Sequence, residues 1–206
     1  MTPEALSART LNEVRCFFLV QRCGACGKGP LTAPLPAGGG YRGPLTVAAR
    51  CQGCHHEQAY DFTVEQAVGS QRPASDVINP TDEPSRIIDL AGWLGLFYML
   101  LTLADRQEAP GRRLLGHQAA LCLGEALKFY GDDELPAVSA FFSDESQQAF
   151  REHPEKFARQ RLRDMQAKLP SLSAMQERLV QDRRATRRRW WQFWRADDQG
   201  SGNAQR

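Results

Sequence analysis

Cys23-Gly24-Ala25-Cys26 and Cys51-Gln52-Gly53-Cys54 decide how the first third of this 206-residue chain folds. Each is a Cys-x-x-Cys pair, and 24 residues separate them. Thiolate is a favoured protein donor for zinc, which takes four ligands in a tetrahedron. Two intervening residues let a tight turn point both sulfurs of a pair at one ion. Small residues permit that reversal, and Gly24, Gly27 and Gly53 stand where it is needed. Cys23, Cys26, Cys51 and Cys54 are therefore expected to hold one structural zinc ion. Four thiolates close the coordination sphere, whereas a catalytic zinc keeps one position open.

The flanks read as strands. Val14-Arg15-Cys16-Phe17-Phe18-Leu19-Val20, rich in β-branched and aromatic residues, enters the first pair. Leu45-Thr46-Val47-Ala48-Ala49 enters the second, and Gln58-Ala59-Tyr60-Asp61-Phe62-Thr63-Val64 leaves it with alternating polarity. Between the pairs, residues 30–44 hold four prolines and the run Gly38-Gly39-Gly40, a long loop without a phosphate-binding pattern. Strand, knuckle, loop, strand, knuckle, strand is the layout of a zinc ribbon, and residues 12–66 resemble that family. The resemblance implies about three strands and zinc on the four cysteines. It implies no activity, because zinc ribbons serve in nucleic-acid binding, protein docking and structural support alike.

Other uses of these cysteines fit less well. The opening Met1-Thr2-Pro3-Glu4-Ala5-Leu6 lacks the basic start and apolar run of a secretory signal, so a reducing, cytoplasmic setting is expected, where disulfides are rare. Cys51-Gln52-Gly53-Cys54-His55 matches the haem-attachment pattern, but haem would leave Cys23 and Cys26 unexplained. A redox motif calls for one pair beside a βαβ unit. His55 and His56 could each replace a sulfur as ligand; they read better as polar residues at a loop edge. Cys16 and Cys122, among apolar neighbours, read as small buried side chains.

The formal net charge of +2 conceals an asymmetry. Residues 183–195 carry six arginines and no acid, which leaves the rest of the chain at −4. That segment also holds three of the four tryptophans. Arg187, Arg188 and Arg189 suit phosphate, and Trp190, Trp191 and Trp194 suit either a bilayer interface or base stacking. The expectation is a contact element for a protein partner, an anionic membrane surface or nucleic acid, with packing against the protein's own body as the bland alternative. The longest apolar run, residues 91–104, is shorter than the roughly twenty residues of a bilayer span, so it reads as a core helix, not a transmembrane segment.

The expected organisation is α+β: a polar lead-in over 1–11, the zinc ribbon over 12–66, a proline-rich linker over 67–83, about five helices over 84–189, and a basic-aromatic tail over 190–206. A first helix capped by Thr81 or Asp82 and a second over about 112–130 form a hairpin. Helices over 143–152, 154–169 and 174–188 follow. No nucleophile elbow, phosphate loop, dinucleotide fingerprint or His-Glu-x-x-His occurs. His117 reads as accommodated by packing, and Asp132, Asp133 and Glu134 as a helix stop. The expected role is non-catalytic binding or scaffolding, with nucleic-acid binding second and an enzyme third.

Overall fold

A computed structural model describes residues 5–37, 40–67 and 77–182. They form the expected α+β fold: a mixed sheet carrying one helix, then a helical body. The sheet has four strands, close to the expected three: β1 (Leu6–Ala8), β2 (Leu31–Thr32), β3 (Gly43–Cys51) and β4 (Glu57–Val64), in the order β1-β4-β3-β2. β3 pairs antiparallel with both β2 and β4. β1 pairs parallel with β4, Leu6 opposite Phe62. Val47, Ala49 and Cys51 of β3, and Tyr60, Phe62 and Val64 of β4, are buried while their neighbours between are exposed. One face of the sheet is therefore core, and Cys51 is its last inward position on β3.

Residues 14–20 are not a strand. They belong to the helix α1 (Leu11–Val20). A short run of aromatic and β-branched residues suits either state, and two local features settle it as helix. Leu11, Val14, Phe17 and Phe18 recur at helical spacing, and all are buried. Thr10-x-x-Glu13 supplies the N-terminal signature: the Glu13 amide donates to Thr10 Oγ1 at 3.2 Å. The lead-in is likewise corrected, since Leu6–Ala8 joins the sheet and Thr10 caps α1. Phe17 and Phe18 then meet Tyr60 and Phe62 edge-on, with ring centroids 5.4–5.7 Å apart. This aromatic cluster joins α1 to the core face of the sheet.

The helical body comprises α2 (Leu90–Ala104), α3 (Ala109–Leu127), α4 (Asp144–Glu152), α5 (Arg159–Lys168) and a further helical stretch over 172–182. α2 starts later than Thr81 or Asp82 would place it, because Asp89 is its cap, accepting from the Gly92 amide at 2.7 Å. Its buried residues include Trp93, Leu96, Phe97 and Leu100, as the continuous apolar run requires. Residues 105–108 connect α2 to α3, which packs along it. Ala109-Pro110-Gly111 is the first turn of α3, which thus starts before the expected 112, and proline's missing N–H costs nothing there. Ser143 caps α4 with a reciprocal bond to Ser146. The expected helix from Pro154 splits into a 3-10 turn, Pro154–Phe157, and α5.

The described part of the expected linker is not loose. Asn12 donates its amide to the Val77 carbonyl at 2.7 Å, Thr10 donates its hydroxyl to the Ile78 carbonyl, and Ile78 is buried. One hydrophobic cluster runs from the sheet through α1 into α2 and α3. Arg113 forks onto Asp182 with bonds of 2.7 and 2.8 Å. The rest of the linker lies outside the described residues. So does the tail, including Arg187, Arg188, Arg189, Trp190, Trp191 and Trp194.

Candidate metal centre

α1 ends at Val20, and Gln21 and Arg22 lead into the first cysteine. β3 ends on Cys51 itself. The aromatic cluster joins α1 to β4, and β4 pairs with β3, so helix and sheet bring the two knuckles face to face. Cys23 Sγ lies 3.6 Å from Cys54 Sγ, and Cys26 Sγ lies 3.7 Å from Cys51 Sγ. All four sulfurs fall within 4.8 Å of one another. A tetrahedron with zinc–sulfur bonds of about 2.3 Å has edges of about 3.8 Å, so the two short separations have the length of its edges. Cys23 and Cys51 are buried, Cys26 is half-buried and Cys54 is exposed. The group can therefore hold a metal ion at the rim of the core.

The knuckles share one backbone design. The Cys23 carbonyl accepts from the Gly27 amide at 2.8 Å, and the Cys51 carbonyl accepts from the His55 amide at 3.0 Å. The Cys23 amide donates to the Lys28 carbonyl at 2.8 Å, and the Cys51 amide donates to that of His56 at 2.9 Å. The fifth residue of each turn is left-handed: Gly27 has φ of 66° and His55 of 60°. The two turns are copies in their hydrogen bonds and in this dihedral. His55 holds the place that Gly27 holds in the other turn, which accounts for its position without any role as a ligand. Neither His55 nor His56 belongs to the sulfur group.

The backbone also tunes the sulfurs. Amide donors from Cys54 and Gly53, the latter 3.3 Å from Cys51 Sγ, hold the Cys51 thiol down to about 6. At Cys54 the His56 amide favours the thiolate. Hydrogen bonding to Cys26, desolvation, and the Cys23 and Cys51 sulfurs outweigh it and push the thiol up to about 12. Cys51 therefore gives up its proton more easily than Cys54. A bound cation relieves that crowding by compensating the accumulated thiolate charge.

Several supporting residues are not evident from the cysteine pattern. Tyr60 packs beside Cys23, and its phenol is pushed up by burial and by that sulfur. A side-chain carbon on Gly29 would lie 3.1 Å from the Gln21 carbonyl, so a larger residue would press on the backbone of the first turn there. The alternation of β4 points to Tyr60, but only the fold shows what it faces. His117 is buried on α3, as expected, apart from the sulfur group. Among the described residues, no helix is long and apolar enough to cross a membrane. No family model, curated protein or solved structure matches this chain, so the geometry of the four sulfurs and their supports carries its functional reading.

Proposed function

We propose that this protein is a non-catalytic binding or scaffolding protein whose zinc ion is a structural staple. The observation that carries the reading is the closed set of four sulfurs built from two matching knuckles. Zinc suits an all-thiolate tetrahedron, and four protein ligands leave no position for a substrate or activated water. The ion would fix the ends of α1 and β3 against each other and so hold the sheet on the helical body.

The basic-aromatic tail supplies the contact element in this reading. Its arginines suit an anionic partner, and its tryptophans add burial at a surface or stacking on bases. Full-length protein and a chain ending at Asp182 are to be compared for binding to phosphatidylserine vesicles, to neutral vesicles and to single-stranded RNA. The reading predicts binding to an anionic target by the full chain and loss of that binding in the shortened one. Equal binding by both chains, or none by either, contradicts the assignment of contact to the tail.

A further inference from the structure

Where α1, α3 and the segment before α2 meet, the protein buries two carboxyls. Glu13 of α1 is fully buried and Glu125 of α3 is 6 % exposed. Each has one oxygen without a hydrogen-bond partner among the described residues, Glu13 Oε1 and Glu125 Oε2. The remaining oxygens are served: the Arg9 amide donates to Glu13 Oε2, and Lys128 Nζ donates to Glu125 Oε1 at 2.8 Å. The Ser85 side chain faces Glu13 and the Asn79 side chain faces Glu125, each favouring the ionised acid, while Ser85 Oγ accepts from the Ile87 and Ile88 amides. Lys128 also donates to the Asn79 carbonyl at 3.0 Å.

Among the described residues, the charges around them do not balance two carboxylates. Lys128 acts on both acids. Arg9 faces Glu13, yet its guanidinium is engaged by Glu65 and Glu83, and Arg86 joins the same two acids. Among the described residues, Cys16 of α1 and Cys122 of α3 also face the pair, and burial pushes up their thiols and keeps them neutral. A buried carboxylate oxygen without a donor is costly to ionise, and a second buried charge of the same sign adds to that cost.

We propose that this seam is a proton-dependent latch, closed while one of the two carboxyls is protonated and weakened when both ionise. Burial raises both acids, Glu125 to about 7. An acid raised on folding stabilises the folded state fully below its ordinary value, and that contribution is lost as pH rises through the folded value. The affected window is therefore about pH 4.5 to 7 for Glu125. The latch joins the metal-bearing part of the chain to the helical body, so its weakening loosens their contact. It does not depend on which metal the cysteines hold.

The test uses the full zinc-loaded chain with zinc in excess, so that the metal site contributes equally to all variants. Wild type, Glu125→Gln and Glu13→Gln are unfolded in denaturant between about pH 5 and 8, spanning most of that window. Glutamine keeps the shape and cannot ionise. The ratio of the wild-type unfolding constant to that of Glu125→Gln is expected to rise at least about tenfold over that range, one pKa unit corresponding to a factor of ten. Infrared spectra of the wild type near pH 6 are expected to show the carbonyl stretch of a protonated carboxyl that disappears toward pH 8, a readout that stands even if a variant fails to fold. A ratio that stays flat overturns the proposal, as does a wild-type spectrum near pH 6 without that stretch.

Discussion

His55 shows how a single residue can support the sulfur group without belonging to it. It follows the second cysteine pair directly and looks like a ligand or half of a haem motif, but its φ of 60° shows a different job. It closes a turn in which glycine would fit better, since the left-handed region costs an ordinary side chain about 1 kcal/mol or more. His55→Gly is expected to retain the metal and to stabilise the zinc-loaded protein by roughly 0.5 kcal/mol, the gain in strain being partly offset by a freer unfolded chain. His55→Val, β-branched at the same dihedral, is expected to destabilise it. Denaturant midpoints and metal content of the purified variants check both. Loss of metal in His55→Gly would mean that the imidazole is a ligand after all.

At the scale of elements, α1 is the part that the sequence signalled most ambiguously. Its aromatic and β-branched residues suit a strand, and the resemblance to a zinc ribbon favours one there. The signal that separates the alternatives is the Thr10-x-x-Glu13 cap, together with the spacing of Leu11, Val14, Phe17 and Phe18. β3 and β4 were legible because alternation and the second knuckle agree. β1 and β2 were not, since strands of three and two residues hold too few positions for any period to show. The four cysteines were readable from spacing alone, because a metal site imposes local turn chemistry. The buried partners Tyr60, Glu13 and Glu125 depend on contacts between distant parts of the chain, which no local pattern encodes. Since α1 positions Cys23 through the aromatic cluster, Phe17→Ala is expected to cost about 3–5 kcal/mol. It is also expected to speed transfer of the metal to a chelator. Unfolding curves and a colorimetric chelator assay measure the two effects, and a chelation rate equal to wild type would detach α1 from the site.

At the scale of the whole molecule, sheet and helices share a continuous core, while the four-cysteine group sits at its rim. Whether the helical region folds on its own has a direct check. A chain beginning at Thr81 is expected to show helical circular dichroism but a lower unfolding midpoint than the full protein, because it lacks α1 and the Asn79 carbonyl that Lys128 binds. An unstructured spectrum would mean that the sheet is required for the helices to form. Cys51→Ser in the full chain is expected to lose the metal and loosen the sheet while leaving most helical signal in place, since metal binding and folding are coupled in small sites. The most direct measurement of the central claim is elemental analysis combined with zinc X-ray absorption on protein purified without chelators. The account predicts one zinc per chain surrounded by four sulfurs at about 2.3 Å; a protein without zinc, or zinc bound by fewer than four sulfurs, would contradict it.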